Sequence, residues 1–267
     1  MIDSHKDFVK SIPEVYDKYL VPQFFEPYSQ DLVKRLKSRH VSKVLEIAAG
    51  TGVVTRKMSA ELPNNVSIIA TDLNQAMIDR ATAVGTSRSV EWKQADAMAL
   101  PFPDKTFDAV VCQFGAMFFP DKPKAFTEVR RVLRPGGIFI FNVWDKLGEN
   151  EFSDTANNAL KSAFPTNPPR FLETPYGYHD KNVIERDLTA AGFKKQPQIS
   201  TVSSVSKAQY PHHAAKAISE GTPLRNELEA RGLLDDATDA ITGAISERFG
   251  TYALEGKTQA HVISVEC

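Results

Sequence analysis

The chain has 267 residues, 42% hydrophobic and 24% charged, and its 32 basic and 33 acidic residues leave a formal net charge of −1. That is the balance of an ordinary globular chain long enough for a sizeable core. It lacks the bulk positive charge of a nucleic-acid binder, and no run reaches the ~18 apolar residues of a membrane span. The opening run MIDSHKDFVK carries charges where a secretory signal needs apolar residues. Two cysteines, Cys112 and Cys267, make neither a disulfide framework nor a zinc cluster. A cytoplasmic protein is expected.

Strand and helix signals alternate from residue 41. Residues 41–48 (VSKVLEIA) read as a buried strand, 55–62 as a helix ended near Pro63, and 66–72 (VSIIATD) as a second strand. A helix follows over 74–84, with Asn74 as N-cap and Gly85 as stop. Strands are expected at 90–96 and 107–114, then an amphipathic helix at 122–133 whose Ala125, Phe126, Val129, Val132 and Leu133 share a face. Arg134-Pro-Gly-Gly137 breaks that helix, and 138–144 (IFIFNVW) is a fifth strand. Residues 145–179 are rich in Pro, Asn and Tyr and lose the pattern. A helix returns at 181–191 behind Asp180 as N-cap, 197–205 is β-branched, 206–257 is mostly helical, and 259–266 is a final strand. Continuous apolar strands alternating with helices imply a doubly wound α/β fold, a parallel sheet covered on both faces with right-handed crossovers.

The loop Glu46-Ile-Ala-Ala-Gly-Thr-Gly52 lies between the first strand and the next helix, where open parallel sheets bind ligands. Two cofactor classes fit such a loop. A dinucleotide needs G-x-G-x-x-G so that its pyrophosphate meets the helix N-terminus; here Thr55 replaces the last glycine, and Glu46 is a poor neighbour for phosphate. S-adenosylmethionine carries a sulfonium and an ammonium and no phosphate, and fits better by charge. Asp72 ends the second strand, 20 residues after Gly52, where a carboxylate accepts ribose hydroxyls. Asp96, in Gln-Ala-Asp-Ala97, ends the third strand, where it can accept from an adenine amine. The three acids share one end of the sheet.

These segments resemble the class I S-adenosylmethionine-dependent methyltransferases, in particular the small-molecule subgroup (methyltransferase type 11) that includes the ubiquinone/menaquinone-biosynthesis C-methyltransferases. VLEIAAGTG is similar to the family's glycine motif and TDLNQAMIDRA to its second-strand acid and helix. QADAMALPFPDKTFDAVVCQFGAMFF resembles its third and fourth motifs, and FTEVRRVLRPGGIFIFNVW its helix–turn–strand. The likeness is close over 41–144 and looser over 180–205, where LTAAGF is shared. It implies a Rossmann-like, seven-stranded, mostly parallel sheet with an antiparallel last strand and helical cap insertions. It also implies one domain over 1–267: a lid segment at 1–40, a cofactor core at 41–144, caps at 145–179 and 206–257, and sheet completion at 180–205 and 258–267. By resemblance Glu46, Gly50 and Gly52 hold the methionine end, with Tyr16 reaching it. Asp72 takes the ribose, Leu73 and Met77 pack on adenine, Asp96 accepts from its amine, and the Ala97 N–H meets the ring. The main chain at Cys112–Gln113 meets the ammonium. S-adenosylhomocysteine is the product. Ala48 departs from the family by standing where the first glycine belongs, and is expected to adjust the loop without abolishing binding.

Methyl transfer from a sulfonium is in-line displacement on carbon, which needs alignment and water exclusion, and a base only if the acceptor must lose a proton. No catalytic triad is evident, and Gln113 after the fourth strand predicts no metal. Asn167-Pro-Pro-Arg170 reads as a proline turn and Cys112 as a buried structural residue. Phe118, Tyr178 and His179 are candidates for the substrate pocket, His179 as a titratable group. The 206–257 insertion is a lid, a homodimer face, or both. Three readings stay open: methyl transfer to a small organic acceptor at O, N or C, a cofactor-binding regulator without turnover, and an NAD(P)-dependent oxidoreductase. Nucleic acid is not an expected partner; the basic run at Lys34, Arg35, Lys37, Arg39 and Lys43 reads as a solvated helix face.

Overall fold

The computed structural model describes residues 12–267; the charged opening run and the start of the 1–40 lid segment lie outside the described residues. Seven strands form one sheet: β1 (Lys43–Glu46), β2 (Ser67–Asp72), β3 (Glu91–Gln94), β4 (Phe107–Gln113), β5 (Leu133–Trp144), β6 (Gln198–Ala208) and β7 (Leu254–Glu266). Their order across the sheet is β3-β2-β1-β4-β5-β7-β6. β1 to β5 run parallel, while β7 is antiparallel to both β5 and β6. This is the Rossmann-like arrangement, with one reversed strand near the edge.

Side-chain alternation along the strands builds two apolar layers. Val44, Ile68, Ala109, Val111, Ile138 and Ile140 pack under α2 (Glu26–Lys37) and α3 (Val53–Glu61) through Leu32, Leu36, Val54 and Met58. Their neighbours Leu45, Ile69, Val110, Phe139 and Phe141 face the other way, toward Phe126 and Val129 of α5 (Lys122–Val132) and Leu188 of α7 (Lys181–Ala190). Helix α4 (Gln75–Val84) has Asn74 as its N-cap, the side chain accepting from the Ala76 N–H, and Gly85 as its stop at φ +83°. Asp180 caps α7 in the same way.

The outer segments differ from the sequence expectation at three places. The Arg134–Gly137 run does not precede the fifth strand but opens it: α5 ends at Val132 and the chain extends at once, with Gly136 at φ +79°. β6 runs on to Ala208 and β7 starts at Leu254, because the two strands stay paired in register into the span that reads as helical. The stretch 145–179 contains a helix, α6 (Glu151–Ala163), whose Phe152, Ala156 and Leu160 form a buried stripe four residues apart.

Two further blocks cover the carboxyl ends of the parallel strands. One is the start of the described N-terminal run, α1 (Ile12–Val15) and a π-wound segment (Tyr16–Phe25) containing Pro22, which leads into α2. The other is α8 (Pro211–Ser219), α9 (Leu224–Ala230) and α10 (Leu234–Phe249). α8 lies on the π-wound segment, and α10 on α8 and α6. Ala214, Ala217, Ile218, Leu224, Leu228, Ile241 and Ile245 are all buried within the chain. Leu233 and Leu234 of the same insertion are only partly buried. Among the described residues no helix is long and apolar enough to cross a membrane.

Candidate cofactor and acceptor site

A cavity opens at the carboxyl ends of β1, β2, β4 and β5, between the sheet and the two covering blocks. One half is built by the strand ends. The Asp72 carboxylate at the end of β2 accepts from the Gly50 N–H (2.8 Å) and, through its other oxygen, from the Asn74 N–H (2.8 Å). An ionised carboxylate has about four acceptor sites, so each oxygen still has room for a ligand hydroxyl. Burial pushes the Asp72 carboxyl above its ordinary value. Asp96 accepts from the Met98 N–H with one oxygen (2.8 Å), and its second oxygen has no partner among the described residues. Leu73, Met77 and Ala97 line the same half.

Several features mark this half as a cradle for a polar ligand. Gly50 sits at φ +56°, and a Cβ there would meet the Tyr16 hydroxyl at 3.4 Å. Tyr16 is held un-ionised by burial and by the nearby acids Asp72, Asp17 and Glu46. Gln113 lines the cavity with its Nε2 on the Phe25 carbonyl (3.3 Å), while its buried Oε1 has no donor among the described residues. That oxygen fits a ligand ammonium or N–H. Asp17 points away from the cavity and latches the π-wound segment to the core: it accepts from Thr51 Oγ1 (3.1 Å), Arg80 (2.8 Å) and Arg56 (3.4 Å).

Two of the loop residues assigned to the ligand stand elsewhere. Glu46 is 1% exposed and lies under the loop, off the cavity wall, accepting from Thr55 Oγ1 at 2.5 Å. Burial pushes its carboxyl up to about 8 against the lowering effect of the Thr55 bond. Gly52 serves packing: a Cβ on it would lie 2.7 Å from the Trp92 ring and 3.3 Å from Ala81. Ala48 takes the left-handed conformation at φ +53°, and its methyl is accommodated because residue 115 is glycine. A Cβ on Gly115 would lie 2.5 Å from the Ala48 Cβ and 2.9 Å from Cys112 Sγ. Cys112 itself is buried and off the cavity wall, and burial pushes its thiol up to about 12.

The other half is aromatic and comes from the covering segments. Leu20, Phe24 and Phe25 enter from the π-wound segment and Phe118 follows β4. Phe114 is at φ +50°, a costly conformation for a non-glycine residue. It is held there by its N–H donating to Asn142 Oδ1 (2.9 Å) and by its ring stacking on Trp144 (centroids 3.7 Å apart). Tyr178 and His179 are not on this wall. The Tyr178 hydroxyl donates to Asp187 of α7 (3.0 Å), and His179 Nδ1 donates to the Tyr176 carbonyl (2.8 Å). The intervening Gly177 turns the chain so that Tyr176 faces the cavity instead, with Ser153 of α6 beside it. Sequence reasoning missed Trp144, Ser153, Tyr176 and Ile218. Only Trp144 had a positional signal, as the last residue of a strand whose end opens on the site. Asn167–Arg170 lies off the cavity, with the Arg170 N–H on Glu227. Among the described residues no group of three or more His, Cys, Asp or Glu is placed to hold a metal.

A sheet of this order, with carboxylates closing β2 and β3 beside a glycine loop, defines the fold of the class I S-adenosylmethionine-dependent methyltransferases. The sequence model of the methyltransferase domain family matches residues 45–141, so that part of the chain is a methyltransferase domain. The ubiquinone/menaquinone biosynthesis C-methyltransferase UbiE of Cronobacter sakazakii is 40% identical over 103 residues, 37% of this chain and 41% of the relative. Such alignments span less than two thirds of the curated relatives' own length. Among solved structures, the YcgJ protein of Bacillus subtilis has a TM-score of 0.57 at 22% identity, covering 90% of this chain and 98% of that one. The phosphoethanolamine N-methyltransferase 2 of Haemonchus contortus, solved with phosphomonomethylethanolamine and S-adenosylhomocysteine, has a TM-score of 0.59 at 16% identity, covering 95% of this chain and 57% of that one. These two show the shared fold.

Two outcomes are expected from this geometry. Gly115→Ala should cost about 1–3 kcal/mol by overpacking, and Ala48→Gly in the same chain should recover at least ~0.5 kcal/mol of it through direct coupling. Urea denaturation of the four variants measures the cycle, and strictly additive effects would contradict the contact. The second concerns Glu46, whose folded-state pKa of about 8 lies above its ordinary value of 4.5. The folded state then keeps a proton that the unfolded state releases, so stability is lost as pH rises through that window. Glu46→Gln should remove this loss. Thermal melts from about pH 5 to pH 9 should show wild type falling relative to Glu46→Gln; parallel curves would mean that Glu46 ionises normally.

Proposed function

We propose that the chain binds S-adenosylmethionine in the Asp72/Asp96 half of the cavity and passes its methyl group to a small organic acceptor in the aromatic half, releasing S-adenosylhomocysteine. The observation that carries this reading is the pair of carboxylates at adjacent strand ends, each with acceptor capacity left over, beside Gly50 and Tyr16. Asp72 would take the ribose hydroxyls, Asp96 the adenine amine, and Gln113 Oε1 the ammonium. When bound, the cofactor supplies a methyl group already activated by a sulfonium.

The chain's own residues are left with alignment and exclusion of water. Phe25, Phe114 and Trp144 form a rigid stacked wall, and the Asp17 latch holds the π-wound segment over the site. Among the described residues no Lys, Arg, His or Glu lines the cavity, and burial holds Tyr16 and Tyr176 in the neutral form. The carboxylates among the described walls, Asp72 and Asp96, are both given to the cofactor in this reading, which suits an acceptor atom that arrives nucleophilic or loses its proton to solvent.

A dinucleotide suits the site less well. Asp72 occupies the Gly50 N–H that a pyrophosphate would need, and among the described residues no basic side chain lines the cavity. A regulator without turnover does not require a formed aromatic half. Asp96→Ala, which disturbs little besides its turn, should weaken S-adenosylhomocysteine binding about tenfold, the ~1.4 kcal/mol of a hydrogen bond to a charged group. Calorimetric titration reads this out, with NAD as the control ligand. Unchanged affinity removes Asp96 from the site, and binding of NAD alone overturns the function.

A further inference from the structure

Among the described residues the acceptor half of the cavity carries no charged side chain. Asp72 and Asp96 are the only acids on the walls among the described residues, and both belong to the cofactor half. Opposite them stand Leu20, Phe24, Phe118, Phe171, Leu172 and Ile218, with three hydroxyl residues, Ser153, Tyr176 and Thr222, set among them. The hydroxyls differ in what they have left to offer. Thr222 Oγ1 donates to the Ile218 carbonyl (2.7 Å) and accepts from the Leu224 N–H (3.3 Å), so its donor is used.

Ser153 is 3% exposed and accepts from the Tyr176 hydroxyl at 2.7 Å. Its own proton finds no acceptor among the described residues. A buried hydroxyl with an unused donor is unfavourable until something accepts from it, and the space beside it is the cavity. Tyr176 fixes the serine by occupying one lone pair, which leaves the proton to swing toward a ligand. Flat aromatic walls favour a ring by stacking. An ionised acceptor would give up its hydration for walls that offer no counter-charge.

Resting on the reading that the other half holds the cofactor, we propose that the acceptor is an uncharged, largely apolar ring compound with an oxygen that accepts a hydrogen bond from Ser153. Ser153 is then a specificity-determining residue and Tyr176 the residue that positions it. Charged acceptors of the same shape are refused.

The test uses the full chain saturated with S-adenosylhomocysteine and titrated with 2-naphthol and 2-naphthoate, probes of one shape that differ in charge. The neutral probe should bind at least tenfold tighter. Ser153→Ala should weaken 2-naphthol about fivefold to tenfold, an unmade neutral hydrogen bond, and leave S-adenosylhomocysteine affinity unchanged. Should Ser153→Ala fail to fold, Tyr176→Phe releases the serine from its fixed orientation and should weaken 2-naphthol in the same direction. Equal or tighter binding of 2-naphthoate overturns the proposal. So does wild-type 2-naphthol affinity in both variants, or a cofactor-loaded chain that takes no 2-naphthol. Failure of the unmodified chain to bind S-adenosylhomocysteine appears before any probe is added and overturns the cofactor reading instead.

Discussion

The Asp72 carboxylate ties the end of β2 to the loop after β1 by accepting from the Gly50 and Asn74 N–H groups, both at 2.8 Å. Because Gly50 is in the left-handed region, its N–H turns toward Asp72, and its missing side chain leaves the space that Tyr16 borders. Buried hydrogen bonds to a charged group are among the stronger ones available to a protein. The loop is therefore set before any ligand arrives. Glu46 lies beneath as a buried carboxyl bonded to Thr55, supporting the loop from below and leaving Asp72 as the acid that faces the cavity.

From that fixed edge the site divides by chemistry. Strand ends supply backbone groups and acids; the N-terminal run and the 145–179 and 206–257 insertions supply rings and apolar side chains. The two meet at Gln113 and Phe114, where β4 ends. Phe114 keeps its left-handed backbone because Asn142 on β5 accepts its N–H and Trp144 stacks on its ring. A displaced methyl group needs its donor and acceptor held in line. A wall locked by stacking and by a buried amide meets that need better than a mobile loop.

Much of the core was legible in the sequence because its signals are local. Apolar runs with period-2 faces gave five strands, and Asn74, Gly85 and Asp180 sit where capping chemistry puts them. Asp72 and Asp96 could be placed because strand ends share one edge of the sheet. Contacts between distant residues were not legible. Gly52 looks like a ligand glycine until Trp92, forty residues on, is seen to fill its Cβ position. Ala48 looks like a defect until Gly115 is found across from it. Tyr176 and Tyr178 are two residues apart on an irregular loop, where no periodicity says which one faces inward. α6 was hidden because Asn and Pro in the surrounding stretch outweigh its Phe152–Ala156–Leu160 stripe.

The central claim is that one cavity holds an acid-lined cofactor half joined to an uncharged acceptor half. A crystal structure of the chain with S-adenosylhomocysteine tests it most directly. The account predicts ribose hydroxyls on Asp72, the adenine amine on Asp96, and the thioether sulfur facing the rings beside Ser153. Adenine seated among Phe24, Phe118 and Phe171, or sulfur turned away from them, would contradict it.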